Sequence, residues 1–175
     1  EKFKAEVDLL RARAKGKNPL DDEDLNLDFA EFRERLLKSR TFPHQQNMID
    51  LLMGRDPSWL HPNMVFERRS QELLVCNIPP NHAKSMTVSV DYVTWRICMD
   101  PNVRVLIVSK TKELAKDFLY AIKQRLTHNQ FVDLQRAYAP AEGWEKSADQ
   151  WSQDAITIQR TEAFGKDPTV QALGI

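Results

Sequence analysis

The order of elements along this 175-residue chain predicts an α/β fold built on a parallel sheet. Apolar runs of strand length occur at residues 73–77 and 103–109. Each is followed by a short loop and then by helical apolar spacing. That spacing is Met86, Val90, Val93 and Ile97 after the first run, and Leu114, Phe118, Ile122 and Leu126 after the second. Strand, helix, strand, helix is the order that right-handed crossovers join into parallel neighbours.

The remaining elements follow from local signals. Phe3, Val7, Leu10 and Ala14 predict an amphipathic helix over 2–15, ended by Gly16 and Pro19. The acidic run Asp21, Asp22, Glu23, Asp24 reads as solvated linker or helix-start charge. Phe29, Phe32 and Leu36 form a second helical stripe, so residues 1–40 read as a helical N-terminal appendage and 41–175 as the main domain. Pro43 suits the first turn of a helix running through Met48, Ile49 and Leu52 to Gly54. Asp56-Pro57 and His61-Pro62 bracket a loop, and 64–68 reads as a short strand. Asp100, ahead of Pro101, ends one helix, and Thr111 caps the next. Beyond Thr127 periodicity fades until Ala155, Ile156, Thr157 and Ile158 predict another strand, with a turn at 165–168.

Composition sets bounds on function. Lys plus Arg equals Asp plus Glu at 25 each, so net charge does not point to nucleic acid, although a local basic patch is compatible with it. With 42% hydrophobic and 29% charged residues the chain reads as a soluble globular protein. No apolar run reaches the roughly 20 residues that span a bilayer. Glu1-Lys2-Phe3-Lys4 has no signal-peptide core and no Met, which reads as a start inside a longer reading frame. Cys76 and Cys98 read as buried free thiols of an intracellular protein. His44, His61, His82 and His128 have no metal-site spacing.

The chemistry concentrates at residues 78–86. Ile78-Pro79-Pro80-Asn81-His82-Ala83-Lys84-Ser85 stands between the first strand and the first helix of the predicted sheet, which is the layout of a phosphate-binding P-loop. The backbone N–H groups of Pro80-to-Met86, proline excepted, would face phosphates. Lys84 would neutralise the β/γ-phosphates of ATP, and the Ser85 hydroxyl would coordinate Mg²⁺. Pro80, Asn81, His82, Ala83, Lys84, Ser85 and Met86 are thus the candidate nucleotide-binding residues, with Lys84 and Ser85 the catalytic pair. The usual pattern has Gly where this chain has Ile78 and Ala83, and Gly normally lets the backbone approach phosphate. An ordinary strand-to-helix loop with a solvated lysine is the competing interpretation. Upstream, Phe42-Pro43-His44-Gln45 resembles the adenine-contacting glutamine motif of helicase-like motors, with Gln45 as base reader and Gln46 as second choice.

A complete ATPase of this type needs a second strand ending in paired carboxylates. Residues 105–108 end in Ser109-Lys110, and 156–158 end in Gln159-Arg160. Ile97-Cys98-Met99-Asp100 has the composition but falls at a helix end. The sequence therefore carries half of an ATPase site, and its domain reads as truncated before the second carboxylate motif.

Pro43-His44-Gln45, the loop with its flanks at 73–85, and 103–118 together resemble the large subunit of the tailed-phage terminase, the DNA-packaging motor. That family often writes its P-loop Pro-Pro-x-His-Gly/Ala-Lys-Ser. Ser109-Lys110-Thr111-Lys112-Glu113-Leu114-Ala115 resembles its next block, and 169–174 resembles the stretch before its second carboxylate motif. The resemblance covers most of 42–175 and is weak over the first 40 residues. It implies a P-loop NTPase of the helicase-like class, with ATP and Mg²⁺ as cofactors and hydrolysis coupled to pushing double-stranded DNA into a procapsid. It also implies a homo-oligomeric ring with portal protein and the small terminase subunit as partners, in the host cytoplasm and away from membranes. The family's nuclease domain has no counterpart in this sequence. The resemblance leaves the activating arginine open, with Arg160 the weak candidate, and Lys110 and Lys112 become DNA-contact candidates. The other readings are a helicase-like P-loop ATPase unrelated to packaging, and a degenerate P-loop fold that docks without catalysis.

Overall fold

The computed structural model describes residues 26–60, 62–63, 65–67, 73–158, 160–161 and 166–175. The predicted helix over 2–15, the acidic run 21–24 and His61 lie outside the described residues.

Helix α1 (Phe29–Arg35) starts where the Asp28 carboxylate accepts the Ala30 N–H at 3.0 Å. Helix α2 (Pro43–Leu52) begins on Pro43, with the Gln45 Oε1 accepting the Phe42 N–H at 3.1 Å. It closes at Gly54, whose φ of 71° suits the end of a helix. A π-helical stretch, Met86–Tyr92, runs into helix α3 (Val93–Met99). Asp100 ends α3 as expected, its carboxylate accepting the Asn102 N–H at 2.9 Å. Strand β1 (Val105–Ser109) then leads into helix α4 (Lys112–Thr127), which Thr111 caps by accepting the Leu114 N–H at 3.3 Å. A 3₁₀ turn opens helix α5 (Val132–Tyr138), which weak periodicity did not predict. Strands β2 (Gln150–Trp151), β3 (Ala155–Thr157) and β4 (Val170–Gly174) complete the described elements.

The sheet order is β1-β4-β3-β2. Only β1 and β4 are parallel, in register from Val105↔Val170 to Ser109↔Gly174, and the other pairs are antiparallel. The sheet is therefore mixed where a parallel one was expected. The antiparallel part comes from the β2–β3 hairpin and from the return of β4 alongside it. The chain is α/β, as predicted.

One face of the sheet carries the core. Leu119, Ile122 and Leu126 of α4 are fully buried with Val90, Ile97, Ile107, Val170 and Ala172. Burying each such side chain stabilises the fold by about 1.5–3 kcal/mol. Phe32, Leu36 and Leu37 belong to the same cluster, and the Trp95 indole N–H donates to Leu27 O at 2.9 Å. A boundary after residue 40 therefore marks no break in packing. Among the described residues, Phe32 of α1 and Leu36 and Leu37 after it pack into the same core as α4.

Residues 73–77, expected as a buried strand, are not in the sheet. Leu73 is 73% exposed and Val75 79% exposed. A strand exists through its ladder, and β1 pairs only with β4 among the described residues. Without a ladder partner among the described residues the apolar run stays outside the sheet. Residues 65–67 of the other predicted short strand likewise lie outside the sheet.

Candidate functional site

The loop ahead of the π-helical stretch has the backbone that a glycine pattern would encode, without the glycines. Asn81 has a φ of 64° and Ala83 a φ of 54°. Asparagine tolerates this left-handed region through its short polar side chain, whereas a Cβ there costs alanine about 1 kcal/mol. Ala83, at a position where glycine is usual, therefore adopts the conformation glycine would adopt. Its carbonyl accepts the Thr87 N–H at 2.9 Å, joining the loop to the following helix.

Lys84 folds back across the loop, its ammonium donating to Ile78 O at 3.2 Å. The same charge lies close enough to Cys76 to oppose the rise that burial imposes on that thiol. Ser85 and Met86 are exposed, and Thr87 is buried with its hydroxyl unpartnered. His82 Nδ1 lies 2.8 Å from Pro80 O. Lys84, Ser85 and His82 thus share one turn and are reachable from solvent.

The upstream segment meets this turn. The His44 ring stands edge-on to His82 with centroids 5.2 Å apart, and Phe42 stacks on His44 at 6.1 Å and 9°. The Arg40 guanidinium sits 5.2 Å over Phe42. Two segments separated by more than thirty residues, 42–45 and 80–85, are therefore neighbours through their side chains. Gln45 itself is 3% exposed and its Oε1 is engaged by the Phe42 amide. The Gln46 amide donates to Asp50 at 2.9 Å. Gln45 holds the helix start and Gln46 bonds along the helix to Asp50, and it is Phe42 and His44 that face solvent beside the loop.

Behind the loop lies a buried ion network. Asp91, on the π-helical stretch, accepts from Arg33 Nε at 3.1 Å and from Arg125 Nε at 3.2 Å. Arg33 also reaches the Thr41 hydroxyl, and the Arg125 guanidinium covers Phe131. Burial pushes the Asp91 carboxyl above the usual carboxylate range, and the two guanidiniums oppose that shift. The network ties α1 and α4 to the helical segment that carries Lys84 and Ser85. Sequence spacing gave no signal for it, because its three members are far apart in the chain.

Other predicted residues have structural partners. Lys112 and Lys116 both pair with Asp154 at 2.9 Å. The Arg160 guanidinium donates to Asp167 O. Cys98 is a free thiol pushed far up by burial. Among the described residues no group of three or more His, Cys, Asp and Glu could hold a metal, and no helix is long and apolar enough to cross a membrane.

The turn fits a phosphate group in its donors. It offers the Lys84 ammonium, backbone amides in a left-handed turn of the kind that forms anion-binding concavities, and an exposed hydroxyl of the type that can coordinate Mg²⁺. Comparison with protein-family models, curated proteins and solved structures finds no match.

Proposed function

We propose that this chain is the ATPase part of a terminase-like large subunit that couples ATP hydrolysis to packaging of double-stranded DNA. The observation that carries the reading is the contact between the two segments that sequence alone assigned to one nucleotide. The 42–45 segment and the 80–85 loop meet through His44 and His82. An accidental Lys-Ser dipeptide has no reason to sit beside an aromatic-proline-glutamine segment.

In this reading the amides of Asn81 to Met86 and the Lys84 ammonium hold the phosphates. Ser85 supplies the protein ligand to Mg²⁺, which when bound neutralises charge on the phosphate oxygens. Lys84 leaves Ile78 O to do this, exchanging one acceptor for a charged one. Gln45 acts by clamping the Phe42 backbone, so that Phe42 and His44 flank the base. DNA, portal protein, the small subunit and a ring of identical copies are the partners that go with the reading.

ATP titration of the wild type against Lys84→Ala is the test. The variant should lose at least about tenfold in affinity, because a charge-assisted contact to phosphate is removed. Equal affinities would leave the loop as a docking module without nucleotide chemistry. Stimulation of procapsid filling by the protein separates a packaging motor from a helicase-like ATPase.

A further inference from the structure

We infer that the loop chooses its nucleotide by the triphosphate and not by the base: Gln45 is a positioning residue, and the site takes ATP and GTP alike. The inference rests on the nucleotide reading of the loop and assigns its substrate range.

Adenine and guanine share the N7 acceptor and differ beside it, where adenine carries the N6 donor and guanine the O6 acceptor. A glutamine that selects adenine must accept from that N6 donor through its Oε1. In this chain that atom is already engaged. Gln45 Oε1 accepts the Phe42 N–H at 3.1 Å, and Phe42 O accepts the Gln45 N–H at 2.9 Å. The two bonds close a ring at the start of α2, and Gln45 is buried within it. Phenylalanine has no polar side chain with which to cap the helix, so the cap contact comes from Gln45. To read a base, Gln45 would have to turn out of the interior and leave the Phe42 N–H unpaired. An adenine contact is then gained only against one that is lost.

Gln46 does not replace it. Its Nε2 donates to Asp50 Oδ1 at 2.9 Å, and Asp50 is itself held by the Ser58 N–H at 2.9 Å and by Arg55 at 3.4 Å. A donor already on a carboxylate has the stronger partner, since a neutral base atom makes the weaker bond. The side chains exposed beside the loop are Phe42, 45% exposed, and His44. Phe42 has no hydrogen-bonding side-chain atom, and stacking on an aromatic ring tolerates any base because every base has a π-face. A site that hydrogen-bonds the distinguishing edge rejects the wrong group by about 10⁴-fold, whereas one that only packs against the ligand discriminates weakly.

The test is equilibrium binding of ATP and of GTP to the wild type, Gln45→Met and Lys84→Ala. Methionine keeps the length of the buried side chain and removes both the acceptor and the amide donor. The ratio of ATP to GTP affinity should lie within roughly threefold of one in the wild type, as stacking without edge contacts predicts. Gln45→Met should leave that ratio where it was, whatever it does to the two affinities together, because a positioning residue acts on both nucleotides by the same factor. The wild-type comparison needs no variant to fold. A wild-type ratio outside that range, or a ratio that moves in Gln45→Met, overturns the inference and leaves the nucleotide reading standing if binding still depends on Lys84. Absence of Lys84-dependent binding of either nucleotide overturns both.

Discussion

Two stretches of this chain look alike in sequence and differ in structure. Both 73–92 and 105–127 read as apolar strand, polar loop and amphipathic helix. In the second, the strand is β1, paired along its length with β4, and the helix is α4 at the centre of the core. In the first, the helix is buried through Val90, Asp91 and Val93, but the apolar run before it is unpaired and exposed. An apolar run supplies the propensity for a strand, whereas a ladder partner makes it one. The two loops differ in the same sense. The 109–111 turn is shaped by a capping threonine and by β4, whereas the 79–83 turn is shaped by its own strained backbone.

The largest way to break this contrast is at Gly174. A Cβ there would lie 2.5 Å from Lys112 N and 2.9 Å from Lys112 Cα, both backbone atoms that cannot swing aside. Glycine is what lets the end of β4 reach the start of α4. Gly174→Ala should therefore destabilise the fold by about 3 kcal/mol, as overpacking against a rigid neighbour does. Urea unfolding checks this, and a midpoint within error of the wild type would show that α4 can shift freely. Hydrogen exchange should rise in β1 and the first turn of α4 and stay unchanged in 73–83.

Ala83 is the mirror case, a residue with a Cβ in a conformation that glycine prefers. Ala83→Gly removes about 1 kcal/mol of left-handed strain. It also loosens the unfolded chain, which takes back roughly half of that. The net gain should be about 0.5 kcal/mol, opposite in sign to the Gly174 result. Tripolyphosphate binding should strengthen slightly, because the amides approach the ligand without a methyl beside them. Destabilisation of the variant would mean that the Ala83 methyl packs on something that matters more than strain.

Much of this was legible in the sequence, and the exceptions have physical causes. The helices Pro43–Leu52 and Lys112–Thr127 carried their own caps and periodicity, and both formed close to their predicted bounds. Asp100 was recognisable as a helix end because proline follows it. Strand β4 was missed as a strand because Gln171 and Gly174 interrupt its short apolar run, yet it became the central partner of the sheet. Helix α5 was missed because only Leu134 among its residues is deeply buried. At the candidate site, residue types and their order could be read, and contacts could not. Nothing in the spacing says that His44 touches His82, or that Arg33, Asp91 and Arg125 converge. Such meetings are set by how helices pack, and local patterns carry no record of them.

The smallest effect expected on stability is at the N-terminal turn of α4, where the β1 side of the comparison could touch DNA. Lys112 and Lys116 are held by one carboxylate, Asp154, whose own acid form is suppressed by hydrogen bonds from those two lysines. A folded-state carboxyl lowered in this way stays ionised through the ordinary aspartate range, so the pairing persists at neutral pH and is lost only as pH falls below that range. All three side chains are partly or largely exposed, so stability should hardly change when the pairing is removed. Binding to DNA should change. A phosphate must compete with Asp154 for each ammonium, and Asp154→Asn ends that competition. The variant should bind double-stranded DNA more tightly at low salt. The slope of log affinity against log salt should steepen by up to about two, one for each lysine released. Lys112→Ala in the same background should return roughly half of that increase. An unchanged slope in Asp154→Asn would place the DNA path elsewhere and leave the lysines as the partners of a surface ion pair.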